Sequence, residues 1–262
     1  MSQNPKTKIS RCKEILLGLA FPVAVLLGWE SLSRISVEYA YAFVPLSSIG
    51  DSFIELLTGG ELVVHLAASL TTAIKGFAIG CASGFGIGFL MAFLRPLDLL
   101  LNPLLQALRQ IPNLALIPLI GLWFGNTEFS KMLIVSLAVF EVMALNAYEG
   151  LHQADARLLE VARALKLSRW QTFRRIMVPA AMPSVSIGIQ HAVAFAWLST
   201  VGAELLFTVG PGISGVMERA QTGARMDLVI VCLVFIAGLG YAMQKLCRKA
   251  SDRLLRWRNA AY

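Results

Sequence analysis

The sequence predicts an all-α, polytopic membrane protein, and three observations predict it. Of its 262 residues, 56% are hydrophobic and 15% charged, with a mean hydropathy of +0.67, which is more apolar surface than a soluble domain of this size can bury. Six stretches are long and apolar enough to cross a hydrocarbon core of about 30 Å as helices: 15–32, 76–94, 99–123, 132–148, 183–209 and 228–246. The basic residues are distributed as topology demands rather than as a nucleic-acid patch, although the formal charge is +7.

Most of the 23 Lys and Arg lie in four places. They precede the first span (Lys6, Lys8, Arg11, Lys13), follow the second (Arg95), fill the loop 151–178 (Arg157, Arg163, Lys166, Arg169, Arg174, Arg175), or occupy the tail (Lys245, Arg248, Lys249, Arg253, Arg256, Arg258). Positive residues stay in the cytoplasm, so both termini and this loop are expected inside, and an even number of spans agrees. The expected organisation is a cytoplasmic N-terminal segment 1–14, a transmembrane domain 15–246 with its cytoplasmic loop 151–178, and a cytoplasmic tail 247–262. Cys12, Cys81, Cys232 and Cys247 have neither metal spacing nor an extracellular cluster and read as reduced thiols. The first apolar stretch outruns a signal-peptide core and lacks a small-residue cleavage site, so it reads as a retained span.

Each element follows in order. Between the first two spans, 33–75 is an outer segment whose half-apolar face (Leu62, Leu66, Ser69, Leu70, Ala73) is expected to lie along the interface before Gly76 turns the chain inward. Gly76, Gly80, Gly84, Gly86 and Gly88 make the second span a small-residue surface on which another helix can pack closely. Pro103, Pro112 and Pro118 prevent the third from being one straight helix, and bent helices in membranes often line a cavity. In the basic loop, Asp155 can cap a first short helix and Ser168 with Gln171 has the spacing of a capping box for a second, so two ordered helices are expected. Pro179 and Pro183 open the fifth span, and Gly210-Pro211-Gly212 ends it.

No zinc-protease HExxH, paired CxxC or phosphate-binding GxxxxGK[ST] is present, so the chain itself is not expected to bind ATP or a metal. Polar residues inside spans are expensive and are therefore candidates for function. They are Arg109, Gln110 and Asn113 on the third segment, Glu141 and Asn146 on the fourth, and His191, Ser199, Thr200 and Glu204 on the fifth, beside Trp197. Arg109 either attracts an anion into a cavity or pairs with a carboxylate or head group. Glu141 is expected either in an ion pair or as a protonated carboxyl. Ser199 and Thr200 can satisfy their hydroxyls on the preceding turn. His191 and Glu204 lack a partner at a catalytic spacing.

The loop resembles the EAA loop of permease subunits of ABC importers, in particular those of the nitrate, sulfonate, taurine and bicarbonate branch. Glu160, Ala162, Phe173, Pro179 and Pro183 match that pattern, Val161 replaces an alanine, and Lys166 stands where the family has glycine. Further matches are Gly60-Glu61, His65-Leu66, Gly76-Phe77, Leu104-Leu105-Gln106, Ile111-Pro112, Leu116-Ile117-Pro118-Leu119, Leu122-Trp123-Phe124-Gly125, Ala196-Trp197-Leu198 and Ala203-Glu204. The tail 256–262 is similar to tails of aliphatic sulfonate permeases, whereas the stretch 140–146 departs from the family by carrying Glu141.

The resemblance implies the type I importer permease fold in a bacterial inner membrane, without enzyme activity of its own. It implies two permease copies, two ATPase subunits that carry ATP and Mg, and an external solute-binding protein. Leu159, Glu160, Ala162, Leu165, Lys166, Trp170 and Phe173 would engage the ATPase. Arg109, Gln110, Asn113, Glu141, Trp197, Ser199, Thr200 and Glu204 are candidates for the path of a small anion. The alternatives are a stand-alone proton-coupled carrier using Glu141 and His191, and a membrane enzyme using His191 or Glu204.

Overall fold

The computed structural model describes residues 5–152, 160 and 162–255, and every regular element among them is helical. In chain order these are α1 (Pro5–Ser33), α2 (Val37–Ala42), α3 (Leu46–Thr58), α4 (Glu61–Phe93), α5 (Arg95–Leu108), a 3-10 turn (Asn113–Leu116), α6 (Ile117–Phe124), α7 (Glu128–His152), α8 (Arg169–Thr172), a π-turn (Phe173–Met177), α9 (Val178–Leu206), α10 (Ile213–Thr222) and α11 (Met226–Leu254). Among the described residues, three helical stretches are long and apolar enough to cross a membrane: Glu61–Phe93, Trp170–Leu206 and Met226–Leu254. A fourth is the pair Arg95–Leu108 and Asn113–Phe124, bent by 91°. The break falls where Pro112 removes a donor, as the three prolines of this segment require.

The chain divides into two compact units, Met1–Glu61 with Met217–Leu233 and Leu62–Val216 with Val234–Tyr262. The second unit is built around α7. Gly76, Gly80, Gly84 and Gly88 of α4 form one stripe against it: a Cβ at Gly76 would sit 2.5 Å from Val135 Cγ1, one at Gly80 2.5 Å from the Ser136 carbonyl, and one at Gly84 2.5 Å from the Phe140 carbonyl. Only hydrogen atoms fit in those gaps, so the two backbones approach closely. Gly86 faces open space and does not belong to the stripe. On its other side α7 meets α9, where Gly188 seats the Asn146 side chain and Gly150 seats Ser184. Val135, Val139, Met143, Ala192 and Ala196 form the packed core of this layer. Both faces of α7 are thus covered by protein, which lets it carry Lys131, Glu141 and Asn146 without exposing them to lipid.

Two expectations from the sequence change. The helix that begins at Glu61 does not turn at Gly76 but continues unbroken to Phe93. In an apolar setting every backbone N–H must be bonded internally, and α7 packed on the glycines offsets their roughly 1 kcal/mol propensity cost apiece. Thirty-three residues at about 1.5 Å each span about 50 Å, well beyond a hydrocarbon core. Likewise Pro179 and Pro183 do not open the fifth span; helical backbone already runs from Trp170. The π-turn Phe173–Met177 carries the chain into Pro179, with the Val178 N–H donating to the Phe173 carbonyl, one residue farther back than in an α-helix.

In the first unit, the end of α1 is fastened to the following short helices. The Trp29 indole N–H donates to the Val44 carbonyl at 2.8 Å, and Glu30 accepts from the Leu46 N–H at 3.0 Å and from Arg34 at 2.8 Å. A second clasp joins α3 to the start of α11: Arg225 pairs with Glu55 at 2.7 Å and Asp227 at 3.0 Å, while the Ser52 hydroxyl donates to Asp227. Hydrogen bonding from Arg225 holds the Glu55 carboxyl below its ordinary pKa.

Candidate functional site

The 91° break brings the polar residues of the third segment onto those of α7 and α9. Arg109 ends α5, and Asn113 opens the 3-10 turn after Pro112. The turn is anchored on α9 because Gly202 leaves room for the Leu114 side chain. Ile117 and Ile120 then bury against Ile134, Ala203 and Phe207. A cavity of about 240 Å³ remains, lined by Arg109, Ala138, Glu141, Val142, Leu145, Asn146, His191 and Phe195. The Asn113 amide donates to Glu141 Oε2 at 3.4 Å, and the Asn146 amide donates to the Val142 carbonyl at 2.8 Å. A cationic and an anionic side chain therefore share one small cavity within a mostly apolar bundle.

Of the residues singled out in the sequence, Arg109, Glu141, Asn146 and His191 line this cavity, with Asn113 bonded to Glu141; Gln110 is exposed. Trp197, Ser199, Thr200 and Glu204 are buried and do not line it. The Trp197 indole N–H donates to the Ile236 carbonyl at 3.0 Å and the ring lies over Gly240, docking α11 on α9. Thr200 returns its hydroxyl to the Ala196 carbonyl at 2.8 Å. Glu204 accepts the Ser214 N–H at 3.1 Å at the start of α10, a position where a carboxylate satisfies an otherwise orphan donor.

Three further residues of this region were not among the candidates singled out in the sequence. His65 Nδ1 accepts the Gly212 N–H at 3.0 Å, Ser69 accepts the Ile213 N–H at 3.0 Å, and Lys131 donates to the Val209 carbonyl while pairing with Glu128 at 3.0 Å. Together with Glu204 they pin the connection 207–214 from three helices. Lys131 is 2% exposed, and the apolar run that follows it in the sequence was the one available signal of its burial.

The second candidate site is the basic loop. The Lys166 N–H bonds to the Arg163 carbonyl and the Leu167 N–H to the Ala162 carbonyl, both at 3.0 Å. This pair is the Schellman closure of a helix, whose turn residue is left-handed. That residue is Lys166, at φ 51°, in the position where a glycine was anticipated. The capping box then forms as its spacing predicts: Ser168 N–H to Gln171 Oε1 at 2.9 Å, and Gln171 N–H to Ser168 Oγ at 3.2 Å. Glu160 is exposed and Ala162 buried. Leu165 and Trp170 are exposed at 65% and 66%, unusual for large apolar groups on an ordered loop. Phe173 turns inward instead, edge-on to Phe89 at 5.7 Å and Phe93 at 5.5 Å, which fastens the loop to the end of α4. Leu159 and Asp155 lie outside the described residues.

A bundle with a broken helix at a charged cavity, and with an ordered basic loop that offers apolar side chains, defines a membrane-embedded transport component. Residues 84–255 match the family of binding-protein-dependent transport system inner membrane components, and the chain belongs to that family. It is 34% identical to a putative aliphatic sulfonates transport permease of Bacillus subtilis (strain 168), over 93% of this chain and 88% of that protein. It is 28% identical to the taurine transport system permease of Escherichia coli (strain K12), over 74% of this chain and 70% of that protein. These relatives set it in the nitrate, sulfonate, taurine and bicarbonate branch of ABC permeases. Its fold is also that of a crystal structure of an amino acid ABC transporter with histidines, at a TM-score of 0.64 and 16% identity, over 77% of this chain and 98% of that one.

Proposed function

We propose that the chain is the permease subunit of an ATP-driven importer that carries a small anion of the sulfonate, taurine or nitrate kind into the cell. It crosses a bacterial inner membrane six times, with both termini inside, as a pair of copies served by two ATPase subunits and an external solute-binding protein. The loop 151–178 docks in a groove of the ATPase, with Glu160 as a helix-end anchor and Leu165 and Trp170 as the inserted apolar groups. Leu159 is a further groove-filling residue in this reading, and Ala162, Lys166 and Phe173 shape the loop. Phe173 then passes its motion to α4, and α4 passes it through the glycine stripe to α7 and the cavity. Arg109, Gln110, Asn113 and Glu141 are the residues of the path; Trp197, Ser199, Thr200 and Glu204 hold the helices that frame it.

The observation that carries this reading is the pair of exposed side chains, Leu165 and Trp170, on a loop ordered by its own capping interactions. Apolar groups held in water by a rigid scaffold are what a docking surface presents. The test is co-purification of the chain with a separately encoded ATPase subunit. The wild type is expected to bring the ATPase down, Glu160→Arg and Trp170→Asp are expected to lose it, and retention of the ATPase by both variants would contradict the reading.

A further inference from the structure

A second cavity, of about 580 Å³, lies between α4, α9 and α11, and apart from the Cys247 thiol every side chain that lines it is apolar. Trp197 holds α11 on α9 at Ile236 and Gly240. Beyond that contact, toward the C-terminal end of α11, Ala242, Leu246 and Ala250 line the cavity together with Ile74 and Phe77 of α4. Ala73 and Ala196 form its floor, at 0% and 1% exposure, whereas Ile74 and Leu246 are 54% and 71% exposed, so it is a groove open at its side. Such a lining offers water no set of polar partners. Left empty it would forfeit its dispersion contacts, so in a bilayer it is filled by hydrocarbon or by another helix.

Charge decides between the two. The lining positions Leu239, Ala242, Leu246 and Ala250 recur at three- and four-residue steps and so share one face of α11. Arg253, three residues past Ala250, continues that face, and Lys249, three residues past Leu246, flanks it. Both are exposed, and neither forms an ion pair among the described residues. The last turns of α11 carry Lys245, Arg248, Lys249 and Arg253 against Asp252 alone. A helix such as α1 of a second copy would bring Lys6, Lys8, Arg11 and Lys13 to the same side of the membrane, like charge against like charge. An anionic lipid brings the opposite charge and a hydrocarbon chain, and basic pockets between spans on the cytoplasmic side bind such head groups. We infer that the groove holds one acyl chain of an anionic phospholipid whose phosphate sits on Lys249 and Arg253. The inference rests on the proposed orientation, with the tail inside.

The experiment uses the full chain, purified with its ATPase partner and reconstituted in vesicles. These contain equal small fractions of phosphatidylglycerol and phosphatidylcholine with the same photoreactive acyl chain, and mass spectrometry reads the adducts on residues 239–250. The wild type is expected to yield about 25-fold more phosphatidylglycerol adduct, a factor of about five for each of two basic groups near the surface. Lys249→Gln and Arg253→Gln should each lower that preference about fivefold. Arg248→Gln, which removes the same charge from the opposite face of α11, should leave it unchanged. Ala242→Trp, which fills the groove and keeps both basic groups, should abolish the adducts of both lipids. Equal yields in the wild type, as large a loss in Arg248→Gln as in Lys249→Gln, adducts that persist in Ala242→Trp, or crosslinks from this stretch to a second copy in place of lipid would overturn the assignment. Labelling of Lys249→Cys by a reagent confined to the outer side would overturn the orientation and the inference together. With the tail inside, a failed comparison removes the lipid site alone and leaves the importer reading standing.

Discussion

Lys166→Gly is expected to stabilise the turn in the basic loop. A side chain at φ 51° costs roughly 1–2 kcal/mol through the clash of Cβ with the following carbonyl. Glycine removes that cost but loses about 0.5–1 kcal/mol more backbone entropy on ordering. The net gain is about 1 kcal/mol, which corresponds to about a fivefold smaller opening constant for the turn. The reporter is hydrogen exchange at the Leu167 amide, which closes the turn on the Ala162 carbonyl at 3.0 Å. Lys166→Ala keeps a Cβ and serves as the control, so its exchange should stay near that of the wild type. If alanine slowed exchange as much as glycine, or if glycine left it unchanged, the argument from left-handed strain would be refuted.

Gly84→Leu drives a side chain into the Phe140 carbonyl and Met143 and should destabilise the detergent-solubilised protein by about 3 kcal/mol; Gly86→Leu, which meets open space, should leave its melting temperature nearly unchanged. Lys131→Met removes the donor to the Val209 carbonyl and the partner of Glu128, so the connection 207–214 should become protease-sensitive with a loss of about 3 kcal/mol, the scale of a broken buried pair. The clasp of Arg225 with Glu55 and Asp227 should depend on pH. The Glu55 carboxyl has a lowered pKa in the fold, so its contribution is fully present above its ordinary value of about 4 and is lost as the pH falls below that through the lowered one. Exchange protection across α3 should therefore hold from neutral pH down to about 5 and weaken below about 4; protection that was flat through that range, or that fell on raising the pH, would contradict the sign.

What the sequence made legible were features written in local chemistry. The spacing of Ser168 and Gln171 specified the capping box, the glycines at four-residue intervals specified a close helix contact, and the three prolines specified a broken third segment. The position of Lys166 implied a left-handed turn only through the family pattern. Other features depend on what folds against them. Nothing in the local sequence tells that α7 covers the glycines of α4 and so keeps the helix continuous through Gly76, nor that Phe173 finds Phe89 and Phe93 far away along the chain. Glu204 read as a path residue because buried charge usually marks function, yet it accepts an N–H of α10, which lies beyond a turn whose course no pattern reveals. Lys131 carries a charge of the kind that ordinarily marks a loop, although its ammonium is buried where it satisfies a carbonyl. The cavity itself was half legible: Arg109, Glu141, Asn146 and His191 stood out as polar residues inside spans, and only the fold shows that these four share it while Ser199, Thr200 and Glu204 do not.

In the proposed function this chain supplies a path and a docking loop while a separate subunit supplies the energy. Solute uptake into proteoliposomes, compared with and without the ATPase subunit and its nucleotide, addresses that claim directly. Uptake that requires the ATPase, ATP and the external binding protein together is predicted. Uptake by the chain alone, driven by a pH gradient, would contradict it.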